Sequence, residues 1–178
     1  MHENTNQDLN EEEPSLWIRR FVPRIVEGGR VLDVACGAGR HALLLARLGY
    51  RVEAADRNAT ALARLSGIHG IRTTTADLES EPWPYAGQLF DGVIVSRYLH
   101  RPLLPLLPEV LRPQGVLIYE TFMEGNERFG RPSNPDFLLK RDELLDAFSG
   151  RLQVVAFEQG VVNRPQPAVI QRICAVRV

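Results

Sequence analysis

Apolar positions along this chain fall into two kinds of run. From Arg30 onward, short stretches rich in Val, Ile and Thr alternate with stretches whose apolar residues return every three or four positions, the pattern of a parallel sheet with helical crossovers. The short runs predict seven strands, near Val31–Ala35, Val52–Ala55, Arg72–Thr75, Gly92–Ser96, Val116–Glu120, Leu152–Phe157 and Ile170–Val176. A helix over Arg40–Leu48 places Leu43, Leu44 and Leu48 on one face and stops at Gly49. Asn58 is a suitable N-cap for the next helix, Ala59–Leu65, which ends at Gly67. Two prolines between Glu79 and Gln88 leave a short helix or none there. Leu103–Leu111 reads as a helix kinked or delayed by Pro108, and Arg141–Phe148 as a shorter one. The link Gly160–Ala168, with Pro165 and Pro167, is too short for a parallel crossover, so the last two strands should pair as an antiparallel hairpin.

The first crossover carries the main chemical signal. A buried strand runs into Gly37-Ala38-Gly39, a helix follows, and the second strand ends on Asp56. Glycines let the backbone turn sharply and approach a ligand, and the free N–H groups at a helix start attract its polar atoms. Asp56, 19 residues beyond Gly37, then lies where a carboxylate can accept both ribose hydroxyls. That geometry suits adenosine in general, dinucleotides included.

Asp33, inside the first strand, narrows the choice. The run Asp33-Val-Ala35-Cys-Gly37-Ala-Gly39 resembles the first motif of the class I S-adenosylmethionine (SAM) methyltransferases, an acid followed by three alternating glycines, with Ala35 in place of the first glycine. Asp77-Leu78 after the third strand, Phe90-Asp91-Gly92-Val93-Ile94-Val95-Ser96, and Leu111-Arg-Pro-Gln-Gly115-Val-Leu-Ile stand in the order of that family's later motifs over residues 30–120. The Gly39-Arg40 pair and the Leu43-to-Asp56 run are similar to small bacterial methyltransferases of the tellurite-resistance type. The resemblance implies a three-layer, Rossmann-like α/β fold with a mostly parallel seven-stranded sheet, strand order 3-2-1-4-5-7-6. It implies SAM as cofactor, with Asp33, Ala35, Gly37, Gly39 and Ser96 around it, Asp56 on the ribose, and Asp77 and Leu78 on the adenine.

Composition removes rival chemistries. There are two cysteines and four histidines, none at metal-ligand spacing, so a disulfide framework and a structural zinc site are not expected. Lys140 is the only lysine beside twenty arginines, and neither a phosphate-binding GK[ST] nor a G-x-S-x-G elbow occurs, which disfavours ATPase, aldimine and esterase readings. No apolar run approaches the roughly 20 residues needed to span a bilayer, and the N-terminus lacks the features of a secretory signal, so a cytoplasmic location is expected. The net charge of −1 is a sum of unlike parts. Residues 1–13 hold five acids and no base and read as a disordered acidic tail, whereas residues 14–178 carry +4 and read as one domain with an N-terminal lid helix over about 14–27.

Ligands of such sheets sit beyond the carboxyl ends of the strands. Tyr98 and His100, after the fourth strand, are the candidates for acid–base work on the acceptor. Cys36, inside the glycine loop, reads as a packing residue rather than a nucleophile, and Glu120 either contacts a ligand or pairs with Arg97. The stretch from Thr121 to Phe137 shows no periodicity; Phe122, Phe129 and Phe137 argue that it is ordered. Arg97, Arg128, Arg131 and Arg164 are expected to build a cationic pocket for a small anionic acceptor. The combined expectation is methyl transfer to a small molecule by a monomer or homodimer. Near-neutral charge disfavours RNA or protein as acceptor. A non-catalytic SAM-binding protein and an NAD-dependent oxidoreductase are the remaining alternatives.

Overall fold

The structure is a computed structural model that describes residues 13–178; apart from Glu13, the acidic tail lies outside the described residues. One sheet organises the chain, in the order β3-β2-β1-β4-β5-β7-β6. Its strands are β1 (Arg30–Val34), β2 (Arg51–Asp56), β3 (Ile71–Thr75), β4 (Phe90–Ser96), β5 (Leu111–Phe122), β6 (Gln153–Val162) and β7 (Ala168–Val176). The first five pair in parallel, and β7 runs antiparallel between β5 and β6, as the short link requires. All seven expected strands are present, most of them extended by a few residues.

Alternation along the central strands sorts side chains into two cores. Val31, Ile94, Val116 and Ile118 face a layer containing α1 (Leu16–Phe21), α2 (Arg40–Arg47) and α3 (Ala59–Ala63). Leu32, Val34, Val93, Val95, Leu117 and Tyr119 face the other layer, which holds α4 (Glu143–Phe148) and the turns over 101–110. The order in which successive strands are laid down reverses between the parallel neighbours β1 and β4, and the clefts open beyond their carboxyl ends.

Four details differ from the sequence reading. On α2 the buried stripe is His41, Ala42 and Leu45; Leu48 is exposed, and Leu43 and Leu44 face a cleft. Leu103–Leu111 forms no α-helix, only a 3-10 turn at Arg101–Leu103 and further turns, because Pro105 and Pro108 lack the N–H groups a helix would bond. Leu103, Leu104, Leu107 and Val110 are nevertheless buried, and Arg177 caps the carbonyls of Pro108, Glu109 and Leu111. The helix expected over 14–27 ends at Phe21 and passes into a 3-10 turn containing Pro23. Trp17, Ile18 and Phe21 are part of the core, so α1 packs as a wall of the domain.

The segment after β5 is ordered by polar side chains rather than by its phenylalanines, of which Phe129 and Phe137 are about half exposed (45% and 49%). Buried Asn126 accepts from the Val169 amide and donates to the Pro132 carbonyl, both at 3.1 Å. Arg101 forks onto Glu143 at 2.7 and 3.0 Å and donates to the carbonyls of Asp136 and Leu138, each at 2.8 Å. Among the described residues no helix is long and apolar enough to cross a membrane.

Candidate functional site

After β1 the backbone enters the left-handed region at Ala35 (φ 53), Gly37 (φ 56) and Gly39 (φ 80) before α2 begins. A Cβ on Gly39 would stand 2.5 Å from Leu65 Cδ1, so any larger residue would have to displace that side chain as well as bear the positive φ. Nothing lies within 4 Å of the Cβ position at Gly37, which leaves that face of the loop open to a ligand. Ala35, where the resembled motif has its first glycine, adopts a glycine conformation at a cost of about 1 kcal/mol. Asp56 holds this loop: its Oδ2 accepts from the Gly37 amide and its Oδ1 from the Asn58 amide, both at 2.8 Å. A carboxylate offers about four lone-pair positions, so acceptor capacity remains.

Two clefts flank the loop and share Ala35 and Arg97. The larger, about 820 Å³, is lined by the glycine loop with Asp33, by Arg40, Leu43, Leu44 and Arg47 of α2, by Arg64, Leu65 and Ile68 beyond α3, by Pro14 and Arg19, and by Ser96. The smaller, about 220 Å³, lies between Asp56, Arg57, Asp77, Leu78, Glu79 and Tyr98.

Asp33 is buried beneath the start of α2, where the Ala42 amide donates to it. Its Oδ2 has no hydrogen-bond partner among the described residues, although Asp33 borders the larger cleft. Burial raises its pKa to about 7 against the lowering pull of that amide and of Arg40. Cys36 is also buried, and burial together with Asp33 pushes its thiol up, which makes it inert as a nucleophile. His41 is driven the other way, to about 3, by burial and by Arg40 and Arg97. It is therefore a neutral imidazole, and its Nε2 accepts from the Ser15 amide at 3.1 Å.

The expected cofactor residues Asp33, Ala35, Gly37, Asp56, Asp77, Leu78 and Ser96 all border one cleft or the other, while Gly39 forms the turn behind them. Asp77 lies at the smaller cleft, its carboxyl held below the usual range by the amide of Glu79. Tyr98 faces the same cleft; burial and then the acids Glu79 and Asp77 push its phenol up, which makes it a donor rather than a base. His100 borders neither cleft and makes no capping bond to the turn that follows it.

The expected arginine set is divided. Arg97 borders both clefts, whereas Arg128, Arg131 and Arg164 are exposed and border neither. Arg128 instead donates to the Gly125 carbonyl at 3.1 Å. Glu120 does not pair with the Arg97 side chain; the Arg97 amide bonds the Glu120 carbonyl at 2.9 Å. The Glu120 carboxylate accepts from Ser15 Oγ at 2.7 Å and from Arg172 at 3.3 Å. Arg19, Arg40, Arg47 and Arg64 supply the cations that the sequence reading placed elsewhere. Of these, Arg40 adjoins the glycine loop and was within reach of a motif argument, Arg19 lies on the helix expected over about 14–27 as a lid, and Arg64 comes to the cleft only through packing. Among the described residues no group of three or more His, Cys, Asp or Glu side chains could hold a metal ion.

A family model described as "Tellurite resistance protein TehB" matches residues 21–81. The chain is 33% identical over 110 residues to a ubiquinone biosynthesis O-methyltransferase of Methylocella silvestris, a match that covers 57% of this chain and 43% of that protein. It thus spans less than half the length of that relative. Among solved structures, TehB from Haemophilus influenzae superposes with a TM-score of 0.74 at 18% identity, covering 91% of this chain and 61% of that one. An S-adenosylmethionine-dependent methyltransferase from Mesorhizobium loti gives 0.70 at 19% identity, with 90% and 95% covered. With its sheet order and glycine loop, the chain shares the fold of these solved structures, and over residues 21–81 it is similar to the TehB family.

Proposed function

We propose that this chain transfers a methyl group from SAM to a small anionic acceptor. The observation that carries the cofactor half of this reading is the orphaned Oδ2 of buried Asp33, which borders a cleft that continues past Ala35 toward Asp56 and Asp77. An unpartnered buried acceptor costs stability unless a ligand donor meets it, and an ammonium group fits that need. Asp56 would take the ribose hydroxyls, Asp77 and the Leu78 amide the adenine, and Asp33 with Gly37 the amino-acid end. When bound, SAM supplies a methyl on a positively charged sulfur.

The protein's own contribution is orientation and charge. In-line placement of a nucleophile can supply up to ~7–11 kcal/mol of barrier reduction. His41 is the one histidine bordering the larger cleft, and it is neutral with Nε2 engaged; the Tyr98 phenol is held protonated. A nucleophile that arrives already ionised or with a free lone pair needs no base. Among the described residues five arginines, Arg19, Arg40, Arg47, Arg64 and Arg97, border the larger cleft against one carboxylate, Asp33, which favours an anion. The name of the curated relative, a ubiquinone biosynthesis O-methyltransferase, supports a small-molecule acceptor over a macromolecule.

Calorimetric titration with S-adenosylhomocysteine and with NAD tests the cofactor: binding of the first alone is expected, and binding of NAD alone would overturn the assignment. Labelled SAM offered with chalcogen oxyanions, thiols and phenols tests the acceptor. Once one is found, Arg47→Ala and Arg64→Ala should raise KM with kcat retained, whereas Arg128→Ala and Arg131→Ala should leave both unchanged. Unchanged KM in the first pair would remove the cationic cleft from acceptor recognition.

A further inference from the structure

Ser15 sits where the two walls of the larger cleft and the end of β5 converge. Its hydroxyl accepts from the amides of Trp17 and Ile18 at 3.1 and 3.4 Å, capping α1, and donates to Glu120 at the end of β5 at 2.7 Å. Its own amide donates to His41 Nε2 at 3.1 Å, in the first turn of α2. The next residue, Ala42, gives its amide to Asp33. Arg40 ties the same turn to Ser96 Oγ at 3.2 Å. On the far side, Arg172 bonds Glu120 at 3.3 Å and lies 4.7 Å from the centre of the Trp17 ring. A continuous path of bonds thus runs from the start of α1, which brings Pro14 and Arg19 to the cleft, through α2 to the orphaned carboxylate in its floor.

We propose that Ser15, acting through His41 and Glu120, is a positioning residue that couples the docking of α1 to occupancy of the glycine-loop cleft. The inference rests on the cofactor reading above and adds to it: a ligand that fixes Asp33 and the first turn of α2 also fixes the α1 wall, and a loosened α1 weakens the ligand. Only neutral His41 can accept from Ser15, and its burial keeps it neutral at ordinary pH. A plain packing role for Ser15 would affect unfolding but not this exchange between wall and ligand.

Amide exchange at Trp17 and Ile18, followed by NMR with and without S-adenosylhomocysteine, reads the coupling directly. Ligand should slow both amides in the wild-type protein. Ser15→Ala, which removes the three hydroxyl bonds and keeps the amide bond to His41, should weaken S-adenosylhomocysteine about five- to tenfold, and Ser15→Thr, which keeps the hydroxyl, should restore most of it. Wild-type amides that exchange at the same rate with ligand bound would overturn the proposal, as would folded Ser15→Ala with wild-type affinity. If the alanine variant does not fold, the wild-type exchange measurement and the threonine variant still decide. Failure of the wild-type protein to bind S-adenosylhomocysteine at all would instead overturn the cofactor assignment.

Discussion

Asp33 shows how one residue sets conflicting demands on stability and binding. An isolated strand aspartate suggests either a buried structural acid or a ligand group, and burial with one oxygen unpartnered among the described residues suits both roles. Its native pKa of about 7 lies above the ordinary 3.8. Between those values the native carboxyl keeps a proton that the unfolded chain releases, so this group makes the ligand-free protein lose stability as pH rises from about 4 to 7, with no further change above. Asp33→Asn removes that loss. Urea unfolding should find the ligand-free variant more stable than wild type at pH 8 by on the order of a few kcal/mol, with the difference shrinking toward pH 4. The same variant should bind S-adenosylhomocysteine more weakly at pH 8, because it offers no charge to an ammonium. A difference in stability that does not change with pH would show that Asp33 is ionised throughout.

At the scale of elements, the helices were legible where caps and stops are local and illegible where distant side chains decide. Asn58 caps α3 by accepting from the Ala61 amide at 3.0 Å, as its position before an apolar run suggests. The run Leu103–Leu111 has helical periodicity, yet its prolines remove N–H groups, and Arg151 and Arg177 from elsewhere in the chain satisfy the carbonyls left over. Order in the segment from Met123 to Leu139 likewise depends on a residue outside it. Arg101→Met should lose four hydrogen bonds to that segment and to α4. Allowing for the partial exposure of the pair, this should cost about 2 kcal/mol. Limited proteolysis should then cut between Asn126 and Leu138 faster than in the wild type, while S-adenosylhomocysteine affinity stays unchanged because the clefts are bordered by other elements. Equal cutting rates would assign the order of this segment to Asn126 alone.

For the whole molecule, the two halves of the sheet have different duties: β1 to β4 and the segments that follow them bear most of the residues that border the clefts, and the β6–β7 hairpin closes the second core. A ligand bound at the carboxyl ends of the central strands stabilises the assembly by mass action. S-adenosylhomocysteine at 100 times its Kd should add ~2.7 kcal/mol, or roughly 5–11 °C in Tm for a domain of this size; an unshifted melting curve at saturating ligand would contradict binding at this site. The sequence by itself determined the seven strands, the antiparallel finish, the glycine loop and the places of Asp33, Asp56 and Asp77 along it, because alternation, turn chemistry and motif spacing are local properties of the chain. Only the tertiary structure decided which arginines border the cleft, that Glu120 bonds Ser15 and Arg172, and that Ala35 stands in a glycine conformation. Those outcomes depend on which side chains from separate elements meet across the sheet, and a flexible, charged arginine has no periodicity to announce where its head group will come to rest.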